Sequence, residues 1–78
     1  MNQKRRKLIA NIIEHLDPWL RDIEWARDEE QDAYDNLPES LQDSDKGCTM
    51  EENIDDLTDA YDGLEEAINL LKDIINRK

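Results

Sequence analysis

Glycine and proline are scarce in this chain of 78 residues, two of each, and cysteine occurs once. So few turn-formers speak against a sheet protein and for a helical one. A single cysteine, Cys48, excludes an internal disulfide and agrees with a reducing compartment. No apolar run approaches the roughly 20 residues of a membrane span, so no membrane association is expected. The basic start, Met1 to Lys7, is not followed by a continuous apolar stretch, because Asn11, Glu14 and His15 interrupt it. No signal peptide is therefore expected, and the chain reads as cytoplasmic. Positive charge is also missing from the middle. From Asp28 to Leu71 there are 16 acidic residues and one basic residue, Lys46, a local balance of −15 within a net charge of −11. Such a field disfavours nucleic acid as a direct partner and favours basic proteins, including those that bind nucleic acid.

What is present is heptad order. In the second half, Met50, Leu57, Leu64 and Leu71 recur every seven residues, as do Ile54, Tyr61, Ile68 and Ile75, and Asn53, Ala60, Ala67 and Ile74. Three such columns make one broad apolar helix face. Thr49-Met50-Glu51-Glu52 has the form of a capping box, which predicts a helix over about 49–76. The first half repeats the pattern in Ile9, Leu16, Ile23, Glu30 and Leu37, in Ile12, Trp19, Ala26 and Ala33, and in Ile13, Leu20, Arg27 and Tyr34. This predicts a helix over about 4–36. The register holds across Pro18, which lies outside all three columns. One long helix bent at that proline is favoured over a break at Leu16 with Asp17 as N-cap.

Leu37-Pro38 stops the first helix, because the residue before proline is pushed out of helical geometry. Residues 37–48 form the connection, with a short turn from Pro38 that folds Leu41 back as a plug over the tip. Gly47 is the flexible point of the loop. The expected fold is all-α, a single domain over 1–78 in which two long helices pair as an antiparallel hairpin. Alignment puts Leu37 level with Met50 and Leu16 with Leu71. It also sets Trp19 against Ala67 and Ala26 against Ala60, large facing small. A chain this short buries only about 60% of its unfolded surface, so one copy is marginal. A two-stranded coil needs two apolar columns per helix and each helix offers three, which predicts a homodimer, a four-helix bundle. Lys4, Arg5, Arg6 and Lys7 then gather beside Lys72, Arg77 and Lys78, and the other end is acidic.

The candidate partner-binding residues follow from this charge. Glu52, Asp55, Asp59, Asp62 and Glu66 have 3-4-3-4 spacing and align on one helix face, each step rising about 5 Å. Phosphates on one DNA strand rise about 3.4 Å each, so the row is a rough linear imitation of a nucleic-acid backbone. Like charges at this spacing cost roughly 0.2–0.5 kcal/mol per pair, which nothing in folding requires. Asp28, Asp32 and Asp35 extend the acidic surface. Trp25 falls outside the apolar columns and should face solvent, where tryptophan is costly unless it serves an interface or packs on Pro18 or Arg21.

No catalytic set is legible. Glu30 stands alone in a core column, where partial exposure or a bond to Tyr61 or Arg27 would accommodate it. His15 reads as a boundary residue, and no nucleophile is placed with it. The segment from Asp43 to Gly47 has the composition of a calcium loop, but Ile54 stands where the twelfth-position Glu is required. No metal and no cofactor are expected, and the chain reads as non-enzymatic.

The stretch Asn36-Leu37-Pro38-Glu39-Ser40-Leu41-Gln42, preceded by Asp28-Glu29-Glu30-Gln31-Asp32-Ala33-Tyr34-Asp35 and followed by the acidic helix, resembles short acidic helical proteins encoded by bacteriophages and prophages. The likeness covers roughly Ile23 to Ile75. The resemblance implies a phage accessory protein acting inside the bacterial host cell. Small acidic proteins in that setting often inhibit host DNA-binding or defence proteins by occupying their nucleic-acid sites. A structural bundle that braces itself or another phage protein is the alternative.

Overall fold

The computed structural model describes residues 1–77, and Lys78, counted above in the basic end, lies outside the described residues. Three helices follow in order: α1 (Gln3–Asp35), α2 (Glu39–Gln42) and α3 (Asp45–Asn76). The described residues contain no strand. α1 and α3 pack antiparallel into a rod of 59 × 15 × 13 Å with a radius of gyration of 17.6 Å. A globular domain of this length would have a radius near 11–12 Å, so the molecule is a single elongated layer.

α1 is continuous through Pro18, as the column register predicts. Its start is charge-mismatched, because four basic residues sit where the helix dipole is positive and no acid stands in the first turn. Two contacts offset this. The Asn2 side chain caps the helix by accepting from the Arg5 backbone N–H at 2.9 Å. Arg6 donates through Nη2 to the Arg77 carbonyl at 2.8 Å, so its cation lies against the negative end of α3.

The connection departs from the sequence expectation. α3 begins at Asp45, four residues before Thr49, with Ser44 as its N-cap. The Cys48 N–H bonds the Ser44 carbonyl at 2.9 Å, and Asp45 supplies the acid that a first turn favours. Packing explains the earlier start. Gly47 is a buried helical residue, not a loop hinge, and its φ is not positive. A Cβ there would lie 2.0 Å from the Gln42 carbonyl oxygen, so the absent side chain is what lets α2 rest on α3. Pro38 is the N-cap of α2. Leu41 does not plug the tip and is 45% exposed. The turn instead directs Gln42 inward, where its Nε2 donates to the Leu37 carbonyl at 3.3 Å and the Tyr34 carbonyl at 3.4 Å. The Tyr34 carbonyl already accepts from the Leu37 N–H at 3.0 Å, but the Leu37 carbonyl just past α1 needs a donor, and a leucine side chain cannot supply one.

The core uses two columns per helix. Ile13, Met50 and Ile68 are buried, and Ile9, Leu16, Leu20, Ile23, Leu57, Leu64 and Leu71 are half-buried. The third column stays outside except at Ile74, which is half-buried: Ile12, Trp19, Ala26 and Ala33 on α1, and Asn53, Ala60 and Ala67 on α3 are all exposed. The expected packing of Trp19 on Ala67 and Ala26 on Ala60 is therefore not part of the hairpin core. One partner helix covers a seam that repeats every 3.5 residues, and a third column lies beyond its reach.

Candidate functional site

The acidic row sits where α3 turns away from α1. Ile54, Tyr61 and Ile68 face the partner helix, and Glu52, Asp55, Asp59, Asp62 and Glu66 fill the far side, all exposed. Fourteen residues separate the first from the last, a rise of about 21 Å. Among the described residues the one ion pair is Arg27 with Asp28 at 3.5 Å, so no described cation pairs with the row.

Asp28, Asp32 and Asp35 are exposed as well. Gln31, whose Nε2 donates to Asp35 at 3.0 Å, borders the same groove as Tyr34, Glu51 and Asp55, so Asp35 stands on the flank of the rod that Asp55 also borders. Trp25 belongs to the α1 set. Residues 25, 28, 32 and 35 follow 3-4-3 spacing, which places the indole in line with the three carboxylates, and Trp25 is 64% exposed. That exposure removes the reading in which it packs on its own helix. The grouping of Trp25 with these acids was available in the spacing.

Between the rows, polar links hold the helices in register. On one flank the Tyr34 hydroxyl donates a short hydrogen bond to the Glu51 carboxylate. This bond first, and then partial burial and the nearby negative charges, push the Tyr34 phenol up to about 12. On the other flank Asn53 Nδ2 donates to Glu30 at 2.8 Å. That contact answers how a carboxylate is tolerated in a core column: Glu30 is half-buried and bonded to Asn53, not to Tyr61 or Arg27. Arg27 lies over the Tyr61 ring, 5.5 Å from its centroid. Partial burial, with Glu24 and Glu65 close by, raises the Tyr61 phenol.

The remaining reactive side chains are dispersed. His15 is exposed and donates through Nδ1–H to the Asn11 carbonyl at 2.8 Å. Cys48 is exposed in the first turn of α3, at the opposite end of the rod. Asp45, Lys46 and Gly47 are helical, so this segment is not a calcium loop. Among the described residues no three His, Cys, Asp or Glu side chains come together to hold a metal ion. No described helix is long and apolar enough to cross a membrane. Hollows beside Glu30, one bordered by Ala26 and Ala33 and one by Asn53 and Asp56, are open to solvent. No protein-family model, curated protein or solved structure matches the chain.

Proposed function

We propose that this is a non-enzymatic accessory protein of phage type that binds and inhibits a basic bacterial protein, nucleic-acid-binding or defence-related, through its acidic surface. The observation that carries this reading is the α3 row of five exposed carboxylates with no cation paired to them among the described residues. A rigid helix holds these charges about 5 Å apart along one line, so a basic groove meets a preorganised array. Charge of this density steers a basic partner to the surface before contact. The row competes with nucleic acid by occupying the same groove. Trp25, with Asp28, Asp32 and Asp35, offers further contacts on α1.

The test is capture from a bacterial lysate with tagged protein, alongside a variant carrying Asp55→Asn, Asp59→Asn and Asp62→Asn. These side chains are exposed, so the variant keeps its helix content. The wild type is expected to retain a discrete basic protein that a high-salt wash removes, and the triple variant is expected to retain none. Equal recovery by the two would rule the reading out.

A second reading is an assembly protein, favoured by the apolar surface left outside the core at Leu8, Ile12, Trp19 and Leu70. In this form the chain self-associates as a four-helix bundle or braces another phage protein. The two readings are compatible, because a bundle that buries the third columns still displays the acidic row of each copy.

A further inference from the structure

The third columns of α1 and α3 lie on one side of the rod, and that side is graded in two properties. Toward the chain termini it is bulky. Leu8 is 59% exposed, Ile12 39%, Trp19 58% and Leu70 56%, with Ile74 half-buried beside them. Toward the connection it is small: Ala26, Ala33 and Ala60 are exposed, with Gly63 open to solvent. Charge changes along the same axis. Arg5 and Arg77 border the bulky end, and Glu29 and Asp56 border the small end, all four exposed.

We infer that a second copy of this chain docks on this face in antiparallel orientation, the two rods related by a twofold axis near Trp19. The inference rests on the self-association reading above and adds the face and the direction. Two gradients select the direction independently. In the antiparallel arrangement Ile12 of one copy lies over the partner's Ala26, and Arg5 reaches the level of the partner's Ala33, beside its Glu29. Bulk meets small and cation meets carboxylate at both ends. A parallel arrangement stacks bulky on bulky at the terminal end, leaves a gap between alanines at the other, and brings two acidic ends together. Size and charge both oppose it. A symmetric pair also presents the same patch on both subunits, as a twofold interface requires.

Cys48 reads the direction, because it is the single cysteine, exposed, and near one end of the rod. The Glu30–Asn53 and Tyr34–Glu51 links put Trp19 level with Glu65, about 17 residues along α3 from Cys48, so two antiparallel copies hold their Cys48 side chains about 50 Å apart. Parallel copies would bring them within about 20 Å, given helix spacings of about 10 Å. The experiment joins sedimentation equilibrium of the full chain with a spin-label distance measurement at Cys48. A dimer with a distance of about 50 Å is expected. Trp19→Glu should shift sedimentation to the monomer with helix content retained, and Trp25→Glu, about 120° away around α1, should leave the dimer intact. A monomer at every concentration overturns the inference together with self-association. A dimer with short Cys48 distances, or one that survives Trp19→Glu, overturns this arrangement and leaves self-association standing. Binding by the acidic row is read separately, by the lysate capture.

Discussion

Tyr34 shows how one side chain ties the hairpin together and how that tie responds to pH. Its hydroxyl donates to Glu51 across the helix pair, so ionising the phenol removes the bond and sets two negative charges side by side. A group whose folded pKa is raised stabilises below its unfolded value and loses that contribution above its folded one. The Tyr34 link is therefore intact below pH 10 and fades as pH rises through about 12. In a Tyr61→Phe background, phenolate absorbance near 295 nm should report this late titration, and Glu51→Ala should return it toward 10. Titration of Tyr34 near 10 in the parent would refute the link. Gly47 makes a second claim at this scale. Gly47→Ala drives a methyl into the Gln42 backbone and should cost about 1–3 kcal/mol in urea unfolding, as overpacking does. An unchanged midpoint would show that α2 does not rest on α3.

At the scale of elements, α1 tolerates a proline that removes a helical donor and crowds the preceding turn. Pro18 is exposed and the helix continues on both sides, so the penalty is carried without a break. Pro18→Ala should raise stability by up to about 3 kcal/mol, measured by thermal or urea unfolding. A loss would mean that the local distortion serves the packing. The two long helices and their register were legible because their columns are regular: Leu16 with Leu71 and Leu37 with Met50 lie within about a turn of the links observed at Arg6–Arg77 and Tyr34–Glu51. The start of α3 was not legible. Both Ser44 and Thr49 are good caps, and the choice between them is made by Gly47 against Gln42, a contact that no local pattern encodes. Leu41 misled for a similar reason. Its hydrophobicity suggested burial, but the Leu37 carbonyl past the end of α1 takes its donor from Gln42 instead.

On the scale of the whole molecule, charge and shape are arranged along different directions. Along the rod, basic residues gather at the termini and acids toward the connection. Around the rod, the core seam, the unpartnered third columns and the outward acidic rows occupy separate faces. The candidate site was legible in part. The five carboxylates of α3 are all exposed at the spacing of one helix face, and Asp28, Asp32 and Asp35 are exposed on α1, with Asp35 joined through Gln31 to the groove that Asp55 borders. A heptad position assigned to each helix separately does not display which acids share a flank until the helices are paired.

The central claim is that the α3 row binds a basic partner by charge. The most direct measurement is the affinity of the purified partner recovered from lysate, followed as salt rises from about 50 to 200 mM, for the parent and for the Asp55→Asn, Asp59→Asn, Asp62→Asn variant. The account predicts an affinity that falls steeply with salt in the parent, and weak, salt-insensitive binding in the variant. Equal affinities and equal salt dependence for the two proteins would contradict it.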